Sequence, residues 1–399
     1  MRVALVCPYD LAAPGGVQGQ VTGLARALAE LGCEVIVVAP VGNMATPATG
    51  VLRGARRTGA PSRSPAGDAA RRDLRDGDRG PDDLAGLHLV AAGSTIVIRA
   101  NGSRAPVALS PLAARRSLAA VREWGPDVVH VHEPLVPAVA LCAALSRIAP
   151  TIGTFHRAGS STLYRAARPL ARLCLARLDA VVAVSQAARS TLVAVAGGVG
   201  GRCAIVPNGI AVGRFATAEP WPSAGPTVVF VGRHEHRKGL AVLLDAFGAL
   251  PPSTRLWVVG DGPQTGALRA RSRRAASGAR VEWCGRLGDA ELARRVAGAD
   301  VLVAPSLGGE SFGVVLLEAM AAGTAVVASD LEGYRLAAGA AARYAEPGDA
   351  AGLARALGEV LADRATCDAL VDAGRRRAEE CSIGSVAREY LERYDTISR

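Results

Sequence analysis

The chain has 399 residues, half of them apolar and enough for two hydrophobic cores, and carries a net charge of +10 with one lysine, Lys238, among its 46 basic side chains. This balance points to an anionic partner, but four Trp, six Tyr and five Phe without aromatic–basic interleaving argue against nucleic acid. Eight scattered cysteines with no C-x-x-C pair argue against a disulfide frame or zinc site and for reduced thiols in the cytoplasm.

Read in chain order, short β-branched runs alternate with helical patterns. The expected strands are Arg2–Cys7, Glu34–Ala39, Asp127–His132, Thr151–Phe155, Ala180–Ser185 and Cys203–Val206. Between them the i, i+3, i+4 recurrence predicts helices over Gly16–Leu31, Pro111–Trp124, Val136–Ile148 and Thr162–Leu178, with Ser110 as an N-cap before Pro111. Residues 45–83 break the pattern: Arg, Asp, Gly and Pro dominate, and the stretch reads as a flexible surface insertion. It holds Asp76-Gly77-Asp78, formally a metal-chelating D-x-D, but arginines surround it and no metal site is expected there. A Pro- and Gly-rich linker at 220–226 introduces a second series of strands, Thr227–Val231, Arg255–Val259, Val281–Cys284, Val301–Ala304 and Ala325–Ala328.

Strict alternation of strand and helix implies parallel sheets wound by right-handed crossovers. The expected fold class is therefore α/β, two Rossmann-like parallel-sheet domains facing a central cleft, over 1–219 and 220–381. A last helix within 382–399 is expected to pack back on the first domain. The apolar run 314–328 is interrupted by Glu318 and Gly323 short of the ~18 to 20 residues of a membrane span, and the N-terminus offers no export signal. Any membrane contact is expected to be peripheral, on the inner face.

Two constellations carry chemistry. After Thr227–Val231 comes Gly232-Arg233-His234-Glu235-His236-Arg237-Lys238-Gly239, a Gly-bounded basic loop where α/β sheets place ligands. A guanidinium fork and a compact ammonium make a diphosphate clamp, here Arg233 with Lys238. The second is Gly308-Gly309-Glu310-Ser311-Phe312-Gly313-Val314, followed at eight residues from Glu310 by Glu318. Read as helix, that spacing rises about 12 Å, comparable to the span from a sugar to a ribose, while glycines and helix N-terminal amides receive the diphosphate between them. His130 and His132 share a strand face and read as structural. The helix Pro111–Trp124 sets Arg115, Arg116 and Arg122 against Leu112, Leu118, Val121 and Trp124, a basic amphipathic surface suited to anionic lipid.

Three motifs together resemble the retaining GT-B glycosyltransferases of family 4: Glu310 to Glu318, Gly232-Arg233 through Lys238-Gly239, and Pro207-Asn208-Gly209. Within that family, Cys7-Pro8-Tyr9 through Gln18, Asp127 through Pro134, and Phe155-His156 look most like the actinobacterial phosphatidylinositol mannosyltransferases. The resemblance implies the following roles. Arg233 and Lys238 hold the diphosphate; Glu310 orients the sugar and Glu318 the ribose. Gly15, Gly16, Gly309, Ser311, Phe312, Gly313 and Val314 line the donor site, His156 reaches into the cleft beside the sugar, and Asp289 meets a guanine. Tyr9 and Gln18 flank the inositol site, and Arg157 stands where relatives carry a Thr/Ser/Lys-rich stretch. The implied reaction is transfer of mannose, with retention, from GDP-mannose to phosphatidylinositol by a monomer at the membrane surface, without a metal or other cofactor. Leu292, where a basic residue is expected, keeps a UDP-linked donor and a soluble acceptor open as the alternative.

Overall fold

The computed structural model describes residues 1–13, 15–40, 87–93, 95–100, 103–157, 159, 168–198, 200–274 and 280–399. The expected insertion at 45–83, its Asp76 and Asp78, and the start of the expected helix over 162–178 lie outside the described residues.

The first sheet has seven parallel strands in the order β3-β2-β1-β6-β7-β8-β9: β1 Arg2–Val6, β2 Glu34–Ala39, β3 His88–Ala91, β6 Val128–His132, β7 Thr151–Phe155, β8 Ala180–Ala183 and β9 Cys203–Ile205. The second has six in the order β12-β11-β10-β13-β14-β15: β10 Thr227–Val231, β11 Arg255–Val259, β12 Val281–Gly285, β13 Val301–Ala304, β14 Ala325–Ser329 and β15 Arg343–Ala345. Both sheets are apolar on both faces because helices cover both. In β1, Val3 and Leu5 face one core while Ala4 and Val6 face another. Along β10, Val228 and Phe230 alternate with Val229 in the same way.

Strands β3 and β15 and a hairpin, β4 Ile96–Ala100 with β5 Ser103–Val107, were not expected from the sequence. β3 and β15 are edge strands of four and three residues, too short to show a period. The hairpin did carry a signal, Asn101-Gly102 between two strand-like runs. The helix Pro111–Trp124 forms as its caps dictate: Ser110 Oγ accepts from Ala113 N–H at 3.2 Å, and Gly125 closes it at φ 67°.

The last helix, Ile383–Ser398, lies against the first sheet, where Val386, Ala387, Tyr390 and Tyr394 join the core of Val3, Leu5, Val128 and Ile152. Burying each tyrosine ring contributes roughly 1.5–3 kcal/mol. Their hydroxyls stay bonded: Tyr394 to His130 Nδ1 at 2.6 Å, and Tyr390 to Thr154 Oγ1 at 3.0 Å, while Thr154 Oγ1 also meets His130 Nε2 at 2.7 Å. Ile210, just past Pro207-Asn208-Gly209, bonds Cys381 and Ile383 in both directions.

Candidate functional site

In each sheet the strand order reverses once, between β1 and β6 and between β10 and β13, and loops leaving the carboxyl ends at such a point part to form a crevice. The second reversal brings the two constellations together. The loop after β10 ends in a turn, His236–Lys238, and Gly239, whose φ of 67° is left-handed; a Cβ there would sit 1.8 Å from the Pro305 carbonyl oxygen. Only glycine lets the Lys238 loop lie on the loop that follows β13. Leu307 N–H donates to the Arg237 carbonyl at 2.7 Å and fixes the register.

Glu310 is the hub. Its Oε1 receives Lys238 Nζ at 2.7 Å, Arg237 Nη1 at 2.9 Å and Ser306 Oγ at 3.1 Å. Ser306 is itself within 2.8 Å of the Tyr334 hydroxyl, buried beneath. Glu235 extends the network, pairing with Arg237 Nε at 3.3 Å and with Arg233 Nε at 3.0 Å. Burial pulls the Glu310 pKa upward, but the charges of Lys238 and Arg237 and the hydrogen bonds from Lys238 and Ser306 outweigh it and hold the carboxyl below its ordinary range. Near neutral pH the site therefore presents a fixed carboxylate against two cations, with a third, the half-exposed Arg233, alongside.

The Gly-rich loop departs from expectation in its geometry. The helix starts only at Val314, so the eight residues from Glu310 to Glu318 comprise an irregular turn and little more than one helical turn; the 12 Å rise does not apply. Gly308, Gly309 and Gly313 have φ of 155°, 73° and 103°, and a Cβ on Gly313 would lie 2.6 Å from the Tyr334 ring. Phe312 is 1% exposed and belongs to the core with Leu316 and Tyr334, so its side chain does not face a donor; Val314 is half-buried against the same core. Ser311 and Glu318 are half-buried. Asp289 is already engaged: its Oδ2 accepts from Arg214 Nη1 at 2.7 Å, at the start of the helix Asp289–Ala297.

At the first reversal, Gly15 is extended and caps the helix Gly16–Glu30, and Gln18, buried, donates from Nε2 to the Asp10 carbonyl at 3.3 Å. Half-buried Tyr9 bridges to Val107. His156 is 7% exposed; its backbone N–H donates to Glu133 Oε1 at 2.7 Å, and its Nε2 lies 2.9 Å from His132 Nδ1. Burial pushes its pKa down to about 4, against the Asn208 side chain, and pushes His130 down to about 3, so both are neutral at physiological pH. Half-buried Arg157 follows His156. On the helix Pro111–Trp124, Arg115, Arg116 and Arg122 are exposed and Leu112 is 56% exposed, while Ala114, Ser117 and Val121 face the sheet.

The sequence had assigned no site role to Glu235, Arg237, Ser306, Tyr334 and Glu133, and had His132 as structural. For Glu235 and Arg237 the charge alternation of the basic loop itself was the signal. Ser306 and Tyr334 stand 28 residues apart and carry none.

Both halves of the chain are similar to known proteins. Residues 14–214 match the model described as Glycosyltransferase Family 4, and residues 225–363 the model described as Glycosyl transferases group 1. A phosphatidyl-myo-inositol mannosyltransferase of Mycolicibacterium smegmatis is 34% identical over all of this chain and 94% of its own length. The protein of the same name from Mycobacterium tuberculosis is 33% identical over all of this chain and 97% of its own. Among solved structures, Anabaena Alr3699/HepE in complex with UDP and glucose superposes with a TM-score of 0.71 at 18% identity, over 99% of this chain and 100% of that one, a likeness of GT-B fold.

Proposed function

Because the chain belongs to glycosyltransferase family 4, we propose that it transfers mannose, with retention of configuration, from GDP-mannose to phosphatidylinositol or a related inositol phospholipid. The observation that carries the donor half is the Glu310 carboxylate, its side chain 10% exposed, held against Lys238 and Arg237 beside the Gly-rich turn. Arg233, Arg237 and Lys238 take the diphosphate, and their charge does the work that a metal does in other nucleotide-sugar enzymes. Freed of its cations by the incoming diphosphate, Glu310 accepts hydrogen bonds from sugar hydroxyls, with Ser306 and Tyr334 fixing its position. Glu318, in the first turns of the helix, receives the ribose. The bond from C1 to the diphosphate oxygen breaks with its electron pair leaving on GDP. The acceptor hydroxyl attacks C1 from the same face and passes its proton to the departing diphosphate, so no protein nucleophile is needed.

Mannose and the inositol lipid come from the names of the relatives, and guanine from the sequence resemblance. With Asp289 paired to Arg214, a guanine reader must come from elsewhere or that pair must open, and this favours keeping a UDP-linked donor as the second reading.

The acceptor half is carried by the exposed Arg115, Arg116 and Leu112 on a helix whose opposite side is buried. Among the described residues no helix is long and apolar enough to cross a membrane, which is compatible with peripheral contact. Each arginine near an anionic surface is worth about 1 kcal/mol. The double change Arg115→Gln with Arg116→Gln is thus expected to weaken binding to phosphatidylinositol vesicles by about thirtyfold at low salt, with donor binding untouched. Unchanged vesicle binding in a sedimentation assay contradicts this surface and favours a soluble acceptor.

A further inference from the structure

The two residues that close β6 and open the following loop hold His156 from two sides. Glu133, 2% exposed and at a left-handed φ of 52°, takes its backbone N–H. His132 takes its ring: the facing nitrogens are 2.9 Å apart and the rings stack at 5.2 Å and 26°. Burial pushes both imidazoles well below their ordinary pKa. Each ring is then neutral with one proton, and one proton occupies the contact.

Two arrangements satisfy that contact, and the other nitrogen of His132 decides between them. If His156 donated from Nε2, His132 would carry its own proton on Nε2, an atom buried without a hydrogen-bond partner. If His132 donates from Nδ1, its Nε2 is a bare lone pair. A buried N–H left without an acceptor is rarer and costlier than an unused acceptor. The second arrangement is therefore the stable one, and it leaves the proton of His156 on Nδ1. Asn208 agrees: its side chain favours the protonated form of His156, as an acceptor does, and its buried Oδ1 makes no hydrogen bond of its own and is open to that proton.

We propose that His132 is a positioning residue that locks His156 in the Nδ1–H tautomer, with Nε2 taken by His132 and the Nδ1 proton turned to Asn208, so that His156 stands as a fixed, neutral ring beside the transferring sugar and cannot act there as a base. The inference rests on the reading that His156 lies beside the donor sugar. It also reverses the assignment of His132 as merely structural.

The test uses the full chain labelled with ring-¹⁵N histidine, of which there are six. Long-range ¹H–¹⁵N spectra, with His156 assigned through His156→Gln, are expected to report the Nδ1–H form in the native protein. In His132→Phe, which keeps a ring but no donor, that preference is lost. Turnover then falls about 10- to 100-fold, the range for losing an outer partner of a site histidine, with donor KM unchanged. His132→Asn, whose amide can replace the Nδ1 donor, restores both. An Nε2–H tautomer in the native protein overturns the proposal, as does equal turnover in the Phe and Asn variants. The spectra need no substrate, so they decide the tautomer even if the donor reading fails, and the native and Asn proteins carry the test if the Phe variant does not fold.

Discussion

Replacing Glu310 by alanine is expected to lower kcat by about 10³ while leaving the affinity for the nucleoside diphosphate unchanged or tighter. The magnitude is that of removing one preorganised group from a charged transition state, about 10² to 10³ in rate, at the upper end because three donors converge on a single oxygen. The split between rate and affinity follows from the geometry. Lys238 and Arg237 spend their charge on Glu310 when no donor is bound, and its removal frees both for phosphate. Binding that improves in the ground state does nothing for the chemical step. Glu310→Gln keeps the volume and a hydrogen-bonding oxygen and is expected to fall between wild type and alanine. Calorimetric titration with GDP alongside steady-state turnover separates the two effects, and a circular-dichroism melt guards against loss of fold. Near-normal turnover in both variants removes Glu310 from the site.

Lys238→Ala is expected to cost about 10² to 10³ in kcat and also to weaken nucleotide binding, because this ammonium acts on the diphosphate before and during bond cleavage. It should raise the Glu310 pKa, since Lys238 is the strongest of the influences that hold it down. A sharper test is Lys238→Arg. The other basic residues of the chain are arginine, so a second arginine beside Arg237 would have replaced this lysine without cost if any cation sufficed. The Lys238 side chain is 20% exposed and its Nζ sits 2.7 Å from Glu310, on a loop that Gly239 presses onto the Pro305 carbonyl. A planar guanidinium is too wide for that point contact. Loss of at least about tenfold in turnover is expected for Lys238→Arg, roughly 1.4 kcal/mol of transition-state binding. Full activity would show that Lys238 sits on a solvated loop by chance.

The sheets were legible because their strands are buried on both faces and leave continuous β-branched runs such as Thr227–Val231 and Val301–Ala304. The reversal of strand order between β10 and β13 then brings Lys238 and Glu310 together, and this juxtaposition is why motifs 72 residues apart could be read as one site. Legibility failed where periodicity carries no information about partners. Phe312 looked like part of a donor loop but fills the core, since a backbone reversed by glycines on both sides turns its side chain inward. Asp289 had the right chemistry for a base, yet Arg214, on a helix that precedes the second sheet, had already claimed it. His132 seemed structural in isolation; only the register of β6 against β7, pairing His132 with Thr154, sets it beside His156.

Nucleotide release from GDP-mannose, UDP-glucose and UDP-N-acetylglucosamine, each with and without phosphatidylinositol vesicles, reads donor and acceptor in one experiment. Release of GDP that depends on the lipid is expected, with a mannosylated, anomerically retained lipid as product. Release of UDP, or release indifferent to the lipid, would contradict the assigned donor or acceptor while leaving the Lys238–Glu310 site to serve another sugar transfer.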